Sequence, residues 1–276
     1  MLETLRRQLS ESLFERVAGP DRARHARRIH ETSGPRMFAD DRPIRHVHAD
    51  HAMFIGGLRA LLLQSLHPLA MAAVAQHSDY RTDPWGRLQR TSLFIGTTTY
   101  GTAEHAHRTI ERLARVHERI RGTASDGRPY RADDPHLLAW VHVAEVDSFM
   151  RCHQRYGEKP LDDYDGYVAD MAVIADVMGI PDPPRTTAEL EARLRSYRSE
   201  LRGTPEAREA ARFLLLKAPL PLLARGPYAV LSATAVATLP VWARAPLRLP
   251  YLPISEATGV RFAGHALMRS LRWVTS

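Results

Sequence analysis

Apolar residues recur along this chain at helical spacing, and almost nowhere in the strict alternation of a half-buried strand. The first periodic stretch runs from about Glu3 to Val17 and stops at Gly19-Pro20. After a loop rich in Pro and Asp comes a long apolar block from about Asp50 to Gln76, with Gly56-Gly57 near its start and Pro68 interrupting it. Asp83-Pro84 opens the next helix, because Asp is a natural N-cap and Pro is tolerated at the first helical position. The pattern restarts at Gly101-Thr102, continues to Arg121 and ends at Gly122; the segment TASDGRPYRADD then reads as a loop. Asp134-Pro135 opens a helix ending near Tyr156-Gly157, and another covers about Leu161 to Met178. Thr186 and Glu189 have capping-box spacing, with Leu190, Leu194, Tyr197 and Leu201 forming one apolar face behind them. Three shorter helices are expected over about 205–218, 227–238 and 255–273. The fold class is therefore all-α, one multi-helix domain, with residues 1–40 as an N-terminal helical arm on the body 41–276.

Composition supports this and excludes several functions. Of the 276 residues, 44% are hydrophobic, enough for one large core, and no shift in composition divides the chain. The formal net charge is +7, carried mostly by Arg spread along the whole sequence. Nucleic-acid binding needs a clustered basic stripe and a reading motif, and neither is present, so no nucleic-acid partner is expected. The one cysteine, Cys152, excludes an internal disulfide, a thiolate zinc cluster and a C-x-x-C-H haem attachment. The N-terminal segment is charged and amphipathic without an apolar h-region, so a cytoplasmic location is expected. The apolar region from Phe213 to Leu252 is broken by six prolines; it suits a peripheral membrane contact or a core cover better than a span.

Position on helix faces selects the candidate chemistry. Ala106, Ile110, Leu113, His117 and Ile120 share one stripe, which puts an imidazole on a buried face. Such a histidine is either a hydrogen-bonded core residue or an iron ligand, and spacing does not decide between them. Arg121, four residues on, is either a carboxylate-binding fork or a basic helix terminus. A second stripe, Leu138, His142, Glu145 and Phe149, places His142 and Glu145 in reach of one another, as an acid/base pair or a satisfied polar network. His67 precedes Pro68, where it fills a kink or lines a pocket. The segment from His77 to Thr91 packs His77, Asp79, Tyr80, Arg81, Arg87, Arg90 and Thr91 together, with Arg87, Arg90 and Thr91 on one face. No nucleophile elbow, P-loop or dinucleotide fingerprint occurs.

The run GGLRALLLQSLHPLAMAAVAQHSDYRTDPWGRLQRT, then YGTAEHA, VHERIRG and DDPHLLAWVHVAEVDS, resembles the MpaB/rubber-oxygenase family. The likeness is densest over about residues 45 to 160 and looser over the helical remainder. The resemblance implies an all-α fold around a haem pocket holding one non-covalent haem b. It also implies an oxygenase that uses O₂ on an apolar, isoprenoid or unsaturated small molecule. In that likeness His117 matches the axial ligand of the haem iron and Arg121 the Arg that follows it. Arg87, Arg90 and Thr91 match the R-x-x-[K/R]-T motif across the pocket. One position departs. The rubber-cleaving branch has a Lys that can ligate iron where this chain has Arg90, whose guanidinium stays protonated. The sixth iron position is then open, water-filled or taken by another residue such as His77 or His142. The expected catalytic group is Arg87, Arg90, Thr91 and His142, and the expected cofactor-binding group is His117, Arg121, Arg87, Arg90 and His77. The alternative is a protein of the same fold that binds haem without catalysis, or that binds lipid at a membrane surface.

Overall fold

Six helices start on a side-chain cap written in the sequence, among them the long ones that begin at Pro84 and Pro135. In this computed structural model, which describes residues 2–275, the elements are α1 Leu2–Ala18, α2 Arg22–His30, α3 Pro43–Ala49, α4 Ala52–Gln64, α5 Pro68–His77, α6 Pro84–Tyr100 and α7 Ala103–His117. A short hairpin follows, β1 Arg121–Thr123 paired antiparallel with β2 Pro129–Arg131. Then come α8 Pro135–Tyr156, α9 Asp165–Val177, α10 Thr187–Ser196, a 3₁₀ turn Tyr197–Ser199, α11 Pro205–Leu216, α12 Leu222–Thr238, α13 Val241–Arg244 and α14 Pro253–Ser255. A π turn at Glu256–Val260 leads into α15 Arg261–Thr275. The Asp83 carboxylate accepts the Gly86 N–H at 2.9 Å to start α6, and Asp134 accepts the His136 N–H at 2.8 Å to start α8. Thr102, Thr186 and Thr204 cap α7, α10 and α11 in the same way.

The core is built on α8. Fourteen of its side chains are buried on all sides, which is the pattern of a helix enclosed by others. Its main partner is α4, which lies against it along most of its length. The contact is closest at Gly56, where an added Cβ would lie 2.7 Å from Phe149 Cδ1 and 3.2 Å from Phe149 Cα. A buried ion pair locks the same interface. Arg59 donates to Asp147 at 2.7 Å, to Ser148 Oγ at 2.6 Å and to the Thr238 carbonyl at 3.0 Å, so one guanidinium joins α4, α8 and α12. Trp140, Val143, Met150, Tyr167, Met171 and Tyr197 join Leu62, Leu63 and Leu66 in the main apolar cluster. α1 lies along α6 and α15, and α2 along α6, so the expected arm packs on the body.

The structure departs from the sequence expectation after Gly19-Pro20, where the expected loop carries α2 and α3, and three boundaries also move. The apolar block divides at Ser65–His67, where Pro68 cannot continue α4, and α4 and α5 meet at 108°. Among the described residues no single helix is long and apolar enough to cross a membrane; only this bent pair has the combined length and apolarity. α7 stops at His117 and not at Arg121, because the Ile120 carbonyl accepts from Ala132 N at 2.9 Å and draws the chain into the hairpin. The expected loop after it forms β1 and β2 around Asp126-Gly127, with Gly127 at φ +85°. Finally, α12 begins at Leu222, so Pro227 sits inside it; the carbonyl this frees belongs to Leu223, whose side chain is exposed.

Candidate functional site

The expected site residues fall into two groups once placed. His117, Arg87 and His142 are half-buried or buried; Arg90, Thr91, Arg121 and His77 are exposed. His117 ends α7, and the stripe leading to it becomes less buried towards the end: Ala106 and Ile110 are buried, Leu113 and His117 half-buried. Its imidazole makes no hydrogen bond among the described residues, and burial lowers its pKa, with Asp133 nearby opposing the shift. The ring is therefore a neutral, unpartnered nitrogen base at neutral pH. Arg121 lies beyond the helix end and donates to the Glu118 carbonyl at 2.9 Å. It does not continue the face of His117 as the unbroken helix predicted.

Arg87 is held by the first turn of α6, half-buried, with Tyr80 the nearest group that favours its charge. Its guanidinium makes no hydrogen bond or ion pair among the described residues, and burial lowers its pKa. Thr91 bonds back to the Arg87 carbonyl at 3.1 Å, as threonines inside helices do. Arg90, three residues after Arg87, points to solvent and pairs with Asp83 at 3.3 Å. His77 ends α5 and meets the Tyr130 hydroxyl of the hairpin at 3.1 Å; that hydroxyl in turn donates to Gln76 at 2.6 Å.

On α8, Leu138, Val141 and Glu145 retain some accessible surface, although their neighbours along the helix are buried. Burial pushes the Glu145 carboxyl up to about 7, and it has no hydrogen-bond partner among the described residues. His142 is buried, its Nε2 is unpartnered, and burial pulls its pKa down to about 4. The two side chains share a face but do not bond to each other, so they are not the satisfied network that was one reading of the sequence.

Beside Glu145 lies a polar chain that periodicity did not single out. His48 of α3 meets Thr99 Oγ1 of α6 at 2.8 Å through Nδ1 and the Tyr167 hydroxyl of α9 at 3.3 Å through Nε2. Burial lowers His48 to about 3 and raises Tyr167 well above the usual range; the Glu145 charge adds to the latter shift. No short motif marks these residues, since each comes from a different helix. The apolar stretch from Leu58 to Val74 is mostly solid core: Leu62, Leu63 and Leu66 are fully enclosed, while Leu61, Leu69 and Val74 keep some accessible surface.

These unpartnered groups contrast with the other buried charges. Arg59 has three acceptors, and Arg244 has the Glu256 carboxylate at 2.7 and 2.8 Å plus the Ala237 and Leu239 carbonyls. Buried polar groups in folded proteins are almost always paired. A neutral imidazole at the end of α7 offers a metal ligand, and a half-buried guanidinium without a carboxylate offers an anion site. These are the donor types a haem uses, an imidazole for the iron and a cation for the propionates. Two open clefts, of about 630 and 840 Å³, lie elsewhere: one beside Arg59, Arg151 and Glu191, the other between α11, α12 and residues 247–260. None of the expected site residues lines either.

Comparison with known proteins gives one match. Residues 45–273 fit the family described as ER-bound oxygenase mpaB/B'/Rubber oxygenase, catalytic domain. No curated protein and no solved structure matches. The match spans α4 to α15 and includes His117, Arg87, His142 and Glu145 with the helices that hold them. This chain belongs to the mpaB/rubber-oxygenase catalytic-domain family.

Proposed function

We propose that the protein is a haem b-dependent oxygenase that uses O₂ on an apolar, unsaturated or isoprenoid-like small molecule. The observation that carries this reading is that His117, Arg87 and Glu145, all half-buried, and the buried His142 have no hydrogen-bond partner among the described residues, on helices that the family match covers. Bound here, a haem supplies the iron redox centre that O₂ chemistry requires. His117 offers the imidazole ligand. Arg87 neutralises a propionate, which removes the cost of its own half-buried charge. Arg90, Arg121, Thr91 and His77 stand at the surface, so their part is confined to contacts made there. Glu145, titrating near neutrality, holds a proton that it can give or take at working pH. His142 stays neutral and presents Nε2 as an acceptor or a donor according to its tautomer. Leu138, Val141 and Phe149 make the surroundings of this face of α8 apolar.

The test is a visible spectrum of the purified protein, oxidised, reduced and with CO, beside the His117→Ala variant. A Soret band that the variant loses is expected. No Soret band after haem supplementation, or an identical spectrum in the variant, refutes the assignment.

A second reading rests on the C-terminal surface. Leu222 and Leu223 are 77% and 93% exposed at the start of α12, close in sequence to exposed Leu216, Lys217 and Arg225. Apolar side chains among basic ones suit a peripheral contact with an anionic bilayer. Co-sedimentation with anionic vesicles that Leu222→Glu/Leu223→Glu abolishes supports it; sedimentation unchanged by the pair removes it. Such a contact is compatible with a cytoplasmic, membrane-associated oxygenase, and equally with a lipid-binding protein of the same fold.

A further inference from the structure

At the break between α4 and α5, three side chains from distant parts of the chain converge. His67 is buried at the N-cap of α5, His136 stands in the first turn of α8, and Glu200 follows the 3₁₀ turn after α10. His136 Nε2 lies 2.8 and 3.1 Å from the two Glu200 oxygens, and His67 Nε2 lies 3.4 Å from the nearer of them. One donor atom from each residue falls within 4.8 Å of the other two. Tyr197 packs against both imidazoles, with centroids 4.6 Å from His136 and 6.4 Å from His67, and Trp140 lies 6.2 Å from His67.

We propose that His67, His136 and Glu200 form a binding site for a divalent first-row transition-metal ion of the zinc or ferrous-iron class. It is independent of the haem assignment. Zinc binds imidazole nitrogen and carboxylate oxygen at about 2.0–2.2 Å, so two donors on one ion stand roughly 3–3.5 Å apart. The Glu200–imidazole separations, 2.8 to 3.4 Å, lie close to this range, and the two imidazole nitrogens are within 4.8 Å of each other. Two nitrogens and one oxygen select this class over magnesium and calcium, which take oxygen donors. Three protein donors leave positions for water or another ligand. His136 is exposed and Glu200 half-buried, so an ion has a path from solvent.

The surroundings suit the assignment. The Trp140 Nε1–H donates to the Gln64 carbonyl at 3.0 Å, and the Tyr197 hydroxyl donates to the His136 carbonyl at 2.9 Å. Neither competes for Glu200. Nδ1 of His67 faces the Ala70 N–H at 3.5 Å, the outer limit of a hydrogen bond. Moving the ring proton to Nδ1, as ligation through Nε2 requires, therefore gives up little. Arg128, whose charge is felt at His67 and Glu200, is paired with Asp126 at 2.7 and 2.9 Å, which offsets its repulsion of an incoming ion. An ion here ties the starts of α5 and α8 to the turn after α10, a junction already joined by the Arg202 N–H to the Leu66 carbonyl at 2.8 Å.

The test uses full-length protein without a histidine tag, stripped with chelator and titrated with Zn²⁺ by calorimetry, and with Co²⁺ by visible absorption. One equivalent per chain, micromolar or tighter, is expected, with visible cobalt bands and a higher melting temperature in zinc. His136→Ala and Glu200→Gln should each weaken zinc binding by about tenfold or more. His107→Ala, at an exposed histidine remote in the chain from the cluster, should bind as the parent does. Circular dichroism checks that each variant is folded, and Glu200→Gln serves should His136→Ala not fold. Absence of saturable one-to-one uptake, or parental affinity in either cluster variant, overturns the proposal and leaves a hydrogen-bonded triad.

Discussion

Replacing Glu145 by Gln removes an ionisable group while keeping its shape, and the pH dependence of stability should change in one direction only. In the folded chain the Glu145 carboxyl titrates at about 7 instead of 4.5 because it is enclosed without a partner. The folded state therefore keeps a proton that the unfolded state releases above 4.5. Stability due to this group falls as pH rises through that window, and the full cost is present above about 7. At about 1.4 kcal/mol per pH unit the shift corresponds to about 2–3 kcal/mol, after a discount for the surface Glu145 retains. His142 acts oppositely: lowered to about 4 from 6.5, it costs stability as pH falls below 6.5. Between 4.5 and 6.5 the two slopes oppose, so the parent's own curve conceals both. The informative quantity is the difference between Glu145→Gln and the parent in urea unfolding of haem-free protein at several pH values from 4.5 to 8.5. That difference should rise by about 2–3 kcal/mol in favour of the variant, mostly between pH 5 and 7. A difference that stays level with pH means Glu145 is solvated or partnered in solution, and would falsify its desolvated, unpartnered placement.

The complementary variant, His142→Leu, should gain stability relative to the parent as pH drops from 6.5 towards 4, measured by the same unfolding series. Arg59→Ala leaves Asp147 buried with only Arg151 at 3.5 Å, so urea unfolding should report a loss of about 3–5 kcal/mol. Gly56→Ala drives a methyl against the Phe149 ring and backbone at the α4–α8 contact; a cost of about 1–3 kcal/mol is expected as a lower thermal midpoint, and no change would mean the two helices can part.

Most of the helical framework was legible because its signals are local. Asp83-Pro84, Asp134-Pro135 and Thr186 with Glu189 each combine a capping oxygen with the next helix, and each starts a helix as expected. Misplaced boundaries are those set by distant residues. α7 ends at His117 because the Ile120 carbonyl is claimed by Ala132, twelve residues on and across the hairpin. The hairpin itself has strands of three residues, too short for any alternation to show, and Asp126-Gly127 was its only local mark. Gly56 carried no legible meaning until Phe149 was seen opposite it.

The candidate site shows the same division more sharply. Helical spacing placed His117 and the His142/Glu145 pair on inward faces, and that much is local geometry. What makes them chemical candidates is the absence of partners, and absence is a property of the whole packing arrangement. Spacing alone left a satisfied network open for His142 and Glu145; the fold provides none, since the polar groups nearby, His48, Thr99 and Tyr167, bond among themselves. For the R-x-x-R-T face the reverse holds. Arg87 and Arg90 look equivalent in the sequence, yet one turn of helix puts Arg87 among buried groups without an anion and Arg90 in solvent on Asp83. Under the haem reading proposed above, a propionate would account for the first and is not needed by the second. The fold thus narrows the motif: of its two arginines only Arg87 lacks an anion, and only Arg87 is left as a candidate partner for one.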